Sequence, residues 1–350
     1  MPPNPCSRCE KEAVIVLPYM SQSLCLDHFK RHFEKRFTNT IRRHALFKEG
    51  EKIGVGLSGG KDSMLLLHLL HTFFGHINPL YAIIIDEGIP GYRERAVALA
   101  IRQCEKLRVN YSVVKFADEF GLTNTDIANA LAVKPELGKG VCGFCGTFRR
   151  SILNKYARKL GLGKLATGHN LDDETQSILM NVFDNHFEKF ARMGPVAGDG
   201  EANGAGLVPR IKPFFETPEK EIIAYCALNG IEHFSENCCP HSKRAKRNDF
   251  RKLLNDFEHA YPGTKFSILN FSLLARNRLG EIPSPAMDLE ACQSCGEPGN
   301  GPLCHACANM KKILDSLKRA QIPLGAKQVP DPDPKKDSGP SCYELKNQAV

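Results

Sequence analysis

Between residues 51 and 275, short apolar runs alternate with stretches whose apolar residues recur every three or four positions. The runs at 52–57, 80–86, 110–116 and 164–168 read as strands, and the periodic stretches near 61–74, 91–107, 147–160 and 172–190 as helices. Strands alternating with helices of this length predict an α/β fold, a Rossmann-like parallel sheet covered on both faces. Ligands of such sheets bind at the carboxyl ends of the strands. The loops after Leu57, Asp86, Phe116 and Gly168 are therefore expected to line one crevice. Upstream, Phe29, Phe33, Phe37 and Ile41 stand four apart and predict an amphipathic helix within 29–50.

Composition sharpens this picture. With 350 residues, 42% hydrophobic and 25% charged, the chain can bury a normal core. No run of about 18 apolar residues occurs, so no transmembrane helix is expected. The start, "MPPNPCSRCEKE", lacks the basic and apolar regions of a signal peptide, so a cytoplasmic protein is expected. The net charge of +8 is compatible with a nucleic-acid partner without demanding one. Basic residues concentrate at 29–44 and 243–252, where Lys30, Arg31, Lys35, Arg36, Arg42 and Arg43 offer either phosphate contacts or a solvated face. The last stretch, "VPDPDPKKDSGPSCYELKNQAV", has the composition of a disordered tail. Its Cys342 is given no role.

The segment Gly54 to Ser63, "GVGLSGGKDS", carries the first chemistry. It is more compact than a Walker A loop, which needs four residues between its first Gly and Gly-Lys-Ser/Thr. The physics is related. Glycines let backbone N–H groups approach an anion, and the helix that starts near Asp62 adds its positive end. Lys61 supplies a point charge, and Ser58 and Ser63 supply hydroxyls. A second polar cluster, "TGHNLDDETQ" at 167–176, puts His169, Asn170, Asp172, Asp173 and Glu174 at a strand's carboxyl end. Acids there serve as helix caps, or they place Mg²⁺ or move a proton.

Cysteine is the second signal. Of 14 cysteines, eight stand in CxxC pairs, and in a reducing compartment such pairs point to metal or redox chemistry. Cys6, Cys9, Cys25 and His28 have the spacing of one structural zinc site, and Cys292, Cys295, Cys304 and Cys307 that of another. Short segments of this kind draw their folding free energy from the metal. In the middle, "VCGFCGTFRR" places Cys142 and Cys145 in a loop before a helix, and "CCP" further on offers Cys238 or Cys239 as a third thiol. Such a set can hold three corners of a 4Fe-4S cluster, act as a persulfide carrier with its resolving partner, or bind zinc with a fourth ligand such as His241. Cys104 and Cys226 lie on helical patterns and read as small buried hydrophobes.

The SGGKDS string after a strand resembles the PP-loop of N-type ATP pyrophosphatases. Taken with the CxxC…CxxH start, "CGFCG", "TGHNLDDE", the Cys-Pro pair and the closing CxxC knuckles, the chain resembles the TtuA/NcsA family of tRNA 2-thiouridine synthetases over roughly residues 5–310. The resemblance implies a zinc finger at 1–28, a basic linker helix at 29–50, a PP-loop catalytic domain at 51–275, a second zinc finger at 288–310 and a tail at 322–350. It implies that ATP, with Mg²⁺, is held by Gly56, Leu57, Ser58, Gly59, Gly60, Lys61, Asp62 and Ser63, together with Ile85, Gly168 and Asp173. It implies a 4Fe-4S cluster on Cys142, Cys145 and Cys239, two Zn²⁺ ions, and catalytic roles for Lys61, Arg149 and Asp173. The reaction implied is adenylation of the C2 oxygen of a tRNA uridine and its replacement by sulfur. The donor implied is a ubiquitin-like thiocarboxylate protein or free sulfide, and the assembly a homodimer. Other PP-loop ligases, such as a tRNA lysidine synthetase or an amidotransferase partner, share the loop but have no need of the three middle thiols. A non-catalytic zinc-finger RNA scaffold would have no need of the loop.

Overall fold

The computed structural model describes residues 5–137, 140–198, 206–235, 239–242, 246–279 and 289–327. A small hairpin, β1 (Ile15–Leu17) and β2 (Gln22–Leu24), leads into the long helix α1 (Leu26–Arg43). Then come β3 (Ile53–Gly56), α2 (Lys61–Phe74), β4 (Leu80–Asp86), α3 (Arg93–Leu107), β5 (Asn110–Lys115), α4 (Phe116–Phe120) and α5 (Asn124–Val133). The chain continues through α6 (Val141–Lys159), β6 (Lys164–Ala166), α7 (Leu171–Phe183), α8 (Phe187–Ala191), β7 (Val196–Ala197), β8 (Arg210–Ile211) and α9 (Glu219–Leu228). It closes with α10 (Arg247–Ala260), α11 (Thr264–Leu279), a second small hairpin of β9 (Glu290–Ala291) and β10 (Pro298–Gly299), and α12 (His305–Arg319).

The central sheet has the order β5-β4-β3-β6-β8-β7, parallel except for the edge strand β7. Strand β4 shows how the layers arise. Its side chains alternate between faces, Ala82 and Ile84 entering one core and Ile83 and Ile85 the other. The first core joins Ile53, Val55 and Leu57 to α1, α2 and α9, and the second joins the opposite face to α5, α6 and α12. The phenylalanines of α1 all turn inward: Phe33 stacks on Tyr225 with ring centroids 4.5 Å apart, and Phe37 meets Phe214 at 5.4 Å. On β3 the face opposite Val55 carries Gly54, where a methyl group would sit 2.6 Å from Leu162 Cδ1. That glycine lets the loop after α6 close on the sheet.

Three local expectations change. Helix α6 starts at Val141, so Cys142 and Cys145 lie in its first turns and not in a preceding loop. Glycines 143 and 146 disfavour helix, but buried Phe144 and Phe148 fix the segment against the second core, and packing overrides propensity. Helix α7 stops at Phe183, because Asn185 adopts a left-handed conformation and starts a new short helix. Helix α1 ends at Arg43, since Ala45 also has positive φ and lets Leu46 turn into the core. The shorter strand ends are differences of one residue, and of two at β6, which stops at Ala166. Of the basic segment at 243–252, residues 243–245 lie outside the described residues, as do Cys238 and Cys342.

Phe33 is fully enclosed between α1 and α9. Phe33→Ala is expected to lower unfolding stability by about 3–5 kcal/mol, read as an earlier denaturant midpoint.

Candidate active site

Strand order reverses between β3 and β6: the chain runs outward through β4 and β5, then crosses back to β6. At this switch point, where sheets of this kind bind their ligands, the loops after β3 and β6 meet. Residues 57–60 form the first wall. Gly59 has φ +84°, and a methyl group on it would lie 2.4 Å from the Ala96 carbonyl oxygen, so only glycine fits. Ser63 Oγ accepts from the Ser58 N–H at 3.1 Å and donates to the Gly60 carbonyl at 3.0 Å, folding the loop over the start of α2. Helix α2 has no side-chain cap, which leaves its positive end to an anion. Lys61 Nζ donates to Glu219 Oε1 at 2.6 Å and to Asp62 Oδ2 at 2.9 Å. Burial disfavours the ammonium, but the two carboxylates outweigh it and hold the pKa above that of an ordinary lysine. Lys61 is therefore charged and held at the loop.

The second wall is the start of α7. Gly168 passes so close to α2 that a methyl there would meet Asp62 and the Ser63 nitrogen at 3.0–3.1 Å. Asn170 caps α7 by accepting from Asp173 N at 3.1 Å, and Asp173 returns a bond from Asn170 N at 3.4 Å, a full capping box. Asn170 Nδ2 also donates to Asp62 Oδ1 at 2.9 Å, tying the two walls together. Burial raises the Asp173 pKa, with Arg247 opposing and Asp62 and Glu219 adding to the rise. Asp172 points away, pairing with Lys265 and accepting from Glu219 N at 2.7 Å. His169 touches water yet is ringed by protein. Burial, then Lys212, lowers its pKa to about 4, so it is neutral at pH 7. Ile85 is buried, and its carbonyl accepts from Arg93 Nε at 3.0 Å.

The three middle thiols gather at the same edge. Cys142 Sγ donates to the His241 carbonyl at 3.5 Å, which brings α6 against the 239–242 turn. Burial pushes Cys145 up to about 12 and Cys239 up to about 11; both feel the charge of Cys142, and Cys145 also feels that of Cys239. A cation placed among them would reverse those shifts. Arg149, one turn after Cys145, forms an ion pair with Glu87 at 3.4 Å. Glu87 also pairs with Arg93, and Arg93 Nη1 donates to the Ser58 carbonyl at 2.6 Å. A continuous polar chain thus runs from the phosphate loop to the cysteine helix. Glu87, Arg93, Glu219 and Arg247 were not singled out from sequence. Their partners lie far along the chain, and no local pattern marks them.

The terminal sets are compact. Within each of Cys6/Cys9/Cys25/His28 and Cys292/Cys295/Cys304/Cys307, the ligand atoms all lie within 4.8 Å of one another. A tetrahedron with metal–sulfur bonds of about 2.3 Å has corners about 3.8 Å apart. Cys9 to Cys25 and Cys295 to Cys304 both measure 3.7 Å, and the thiols of the first set reach His28 Nδ1 at 3.3–3.5 Å. Both sets fit one tetrahedral ion. Each knuckle opens a helix: Cys25 caps α1 and Cys304 caps α12. Of the basic residues of α1, Arg36 turns inward to Glu221 at 2.7 Å and to Tyr19, so it is not part of a phosphate-facing surface. Cys104 and Cys226 are buried, each pushed up to about 12 by burial, as expected of small hydrophobes.

The model of the PP-loop domain matches residues 27–257. The tRNA 2-thiolation protein NcsA of Haloferax volcanii is 36% identical over 88% of this chain and 98% of that protein. The chain belongs to the tRNA 2-thiolation protein family. Cytoplasmic tRNA 2-thiolation protein 1 of Xenopus laevis is 33% identical over 92% of this chain and 91% of its own. The solved structure of the U34-tRNA thiolase NcsA from Methanococcus maripaludis, with its [4Fe-4S] cluster, superposes with a TM-score of 0.69 at 30% identity. It covers 85% of this chain and 95% of that one. PP-loop architecture and membership of the thiolation family were both legible in the motifs.

Gly59→Ala is expected to weaken ATP binding at least tenfold, measured by calorimetry, because the loop must move off Ala96 to admit the methyl group.

Proposed function

We propose that the chain is a tRNA sulfurtransferase that uses ATP to replace the C2 oxygen of a uridine with sulfur, giving 2-thiouridine. The observation that carries this reading is the shared edge. The phosphate loop and the three thiols open on one side of the sheet, joined through Ser58, Arg93, Glu87 and Arg149. Activation and sulfur transfer can therefore act on one base.

The uridine C2 oxygen attacks the α-phosphorus of ATP, a new O–P bond forms, and the bond to pyrophosphate breaks. Lys61, charged and standing at the uncapped start of α2, takes up the charge of the departing pyrophosphate. The Ser58–Ser63 loop, with Gly56 and Leu57 leading into it, holds the phosphates. The backbone at Ile85 and Gly168 borders the nucleoside. Asp62 and Asp173 face this space, carry the charge to place Mg²⁺, and Asp173 is the group to accept a proton. Sulfur then attacks C2, and AMP leaves with the original oxygen, which Arg149 steadies.

Cys142, Cys145 and Cys239 suit a 4Fe-4S cluster better than a single ion. Among the described residues, only the terminal sets have the tight spacing of one metal, so the middle thiols stand further apart. Cys142, Cys145 and Cys239 would hold such a cluster by three thiolates, and it would supply an open iron for an external sulfur. The terminal sets we assign to two Zn²⁺. The donor is a ubiquitin-like protein with a C-terminal thiocarboxylate or free sulfide, the compartment is the cytoplasm, and the protein acts as a homodimer. Exposed Phe183, Phe257, Phe271 and Leu274 on the neighbouring helices α7, α10 and α11 favour such an assembly.

Lys61→Ala is expected to lower the thiolation rate roughly 10²–10³-fold. Cys142→Ser, Cys145→Ser and Cys239→Ser are each expected to abolish thiolation and to lower the iron content of anaerobically prepared protein. Full activity in Cys142→Ser would contradict the assignment. Metal analysis is expected to return two zinc ions per chain, and chelation of zinc to lower the unfolding temperature.

A further inference from the structure

Helix α6 and the approach to β8 meet along a seam that the reaction above leaves unused. Asn154, buried in α6, donates from Nδ2 to the Gly206 carbonyl at 3.2 Å and accepts at Oδ1 from the Val208 N–H at 2.9 Å. That clamp fixes the register of the helix against the strand. One turn back on the same helix face stands Arg150. Two residues on from Val208 stands Arg210. Val208 packs on the second core and Ile211 enters the first, so Arg210 projects toward α6. Helix α6 precedes β6 and runs antiparallel to the strands, so both steps lead to the carboxyl edge and bring the two guanidinium groups together. Arg150 lies back over Gly146, where a methyl group would be 3.3 Å from Nη1, directly beside Cys145.

The surrounding cations all have carboxylates: Arg149 has Glu87, Arg158 has Glu297 and Lys212 has Glu174. Neither the Arg150 nor the Arg210 guanidinium forms a hydrogen bond or ion pair with another described residue. Burial, then Arg149, disfavours the Arg150 charge; burial, then Arg150, disfavours that of Arg210. Arg150 is exposed and Arg210 half-buried, the charge of one is felt at the other, and with no carboxylate partner for either an anion between them removes that repulsion. Their planar forks match phosphate oxygens. The phosphates of ATP already have a loop, at the start of α2 on the other side of β3.

We propose that Arg150 and Arg210 form a subsite for a backbone phosphate of the tRNA, holding the strand beside the target uridine against the thiol end of α6. The inference rests on the tRNA thiolation reading above. It explains how a base is kept near the thiols while its oxygen is at the phosphate loop.

The test is binding of an unmodified tRNA transcript to the full chain across a salt series. Arg150→Gln and Arg210→Gln are each expected to weaken binding about five- to tenfold and to flatten the log–log salt slope by about one. The double variant is expected to lose less than the product of the two, since both side chains hold one phosphate. Arg150→Lys, which keeps charge without the fork, is expected to fall between. ATP affinity of each preparation reports that the fold is intact. Unchanged tRNA affinity in the double variant, with the wild type binding, overturns the subsite. A wild-type chain that neither binds nor thiolates tRNA overturns the functional reading instead. Variants that keep tRNA affinity and sulfide-driven thiolation but lose thiolation from a C-terminal thiocarboxylate assign the pair to that donor and overturn the RNA assignment.

Discussion

Glu87 is the carboxylate on which the site's geometry depends. It sits just past the end of β4, buried, between Arg93 on α3 and Arg149 on α6. Arg93 in turn reaches the carbonyls of Ile85 and Ser58. One negative charge therefore fixes the phosphate loop, the end of β4 and the cysteine helix relative to one another. Taking that charge away would strand the buried Arg93 guanidinium, at a general cost of about 3–5 kcal/mol. The pair is poor evidence for stability as such. Its value lies in holding two reactive walls at a set separation, where small displacements cost rate heavily.

The two terminal knuckles extend the same logic to the periphery. Cys6 and Cys25 belong to the core that holds Phe33 and Val55, and Cys292, Cys304 and Cys307 to the core that holds Phe148 and Ile83. Each terminal cluster thus braces one face of the sheet. The first is also wired inward. Tyr19 and Arg36 converge on Glu221, two residues from the Glu219 that holds Lys61. A loss of order at the first knuckle has a short route to the phosphate loop.

The layered fold and the gathering of both terminal Cys/His clusters were legible in sequence because their signals are local: period-two runs, four-residue spacing, CxxC pairs and the SGGKDS string. The crevice was legible through topology, since loops after parallel strands share an edge. What escaped was non-local. Arg36 looked like part of a basic surface, yet Glu221, far along the chain, draws it inward. The acids of "TGHNLDDE" read equally as caps or as Mg²⁺ and proton groups, and only the structure shows that Asp173 completes the capping box with Asn170. The glycines of "CGFCG" looked like a loop, yet Phe144 and Phe148 hold them in helix. Nothing in the local sequence marks Glu87 as the shared partner of two arginines.

The central claim is that the phosphate loop activates the same uridine oxygen that sulfur displaces. It is tested most directly by thiolating a tRNA labelled with ¹⁸O at the uridine C2 position and weighing the nucleotide released. The account predicts one ¹⁸O in the phosphate of AMP for each 2-thiouridine formed. Unlabelled AMP, with the label released to water, would show that the nucleotide never bonded to the base and would contradict it.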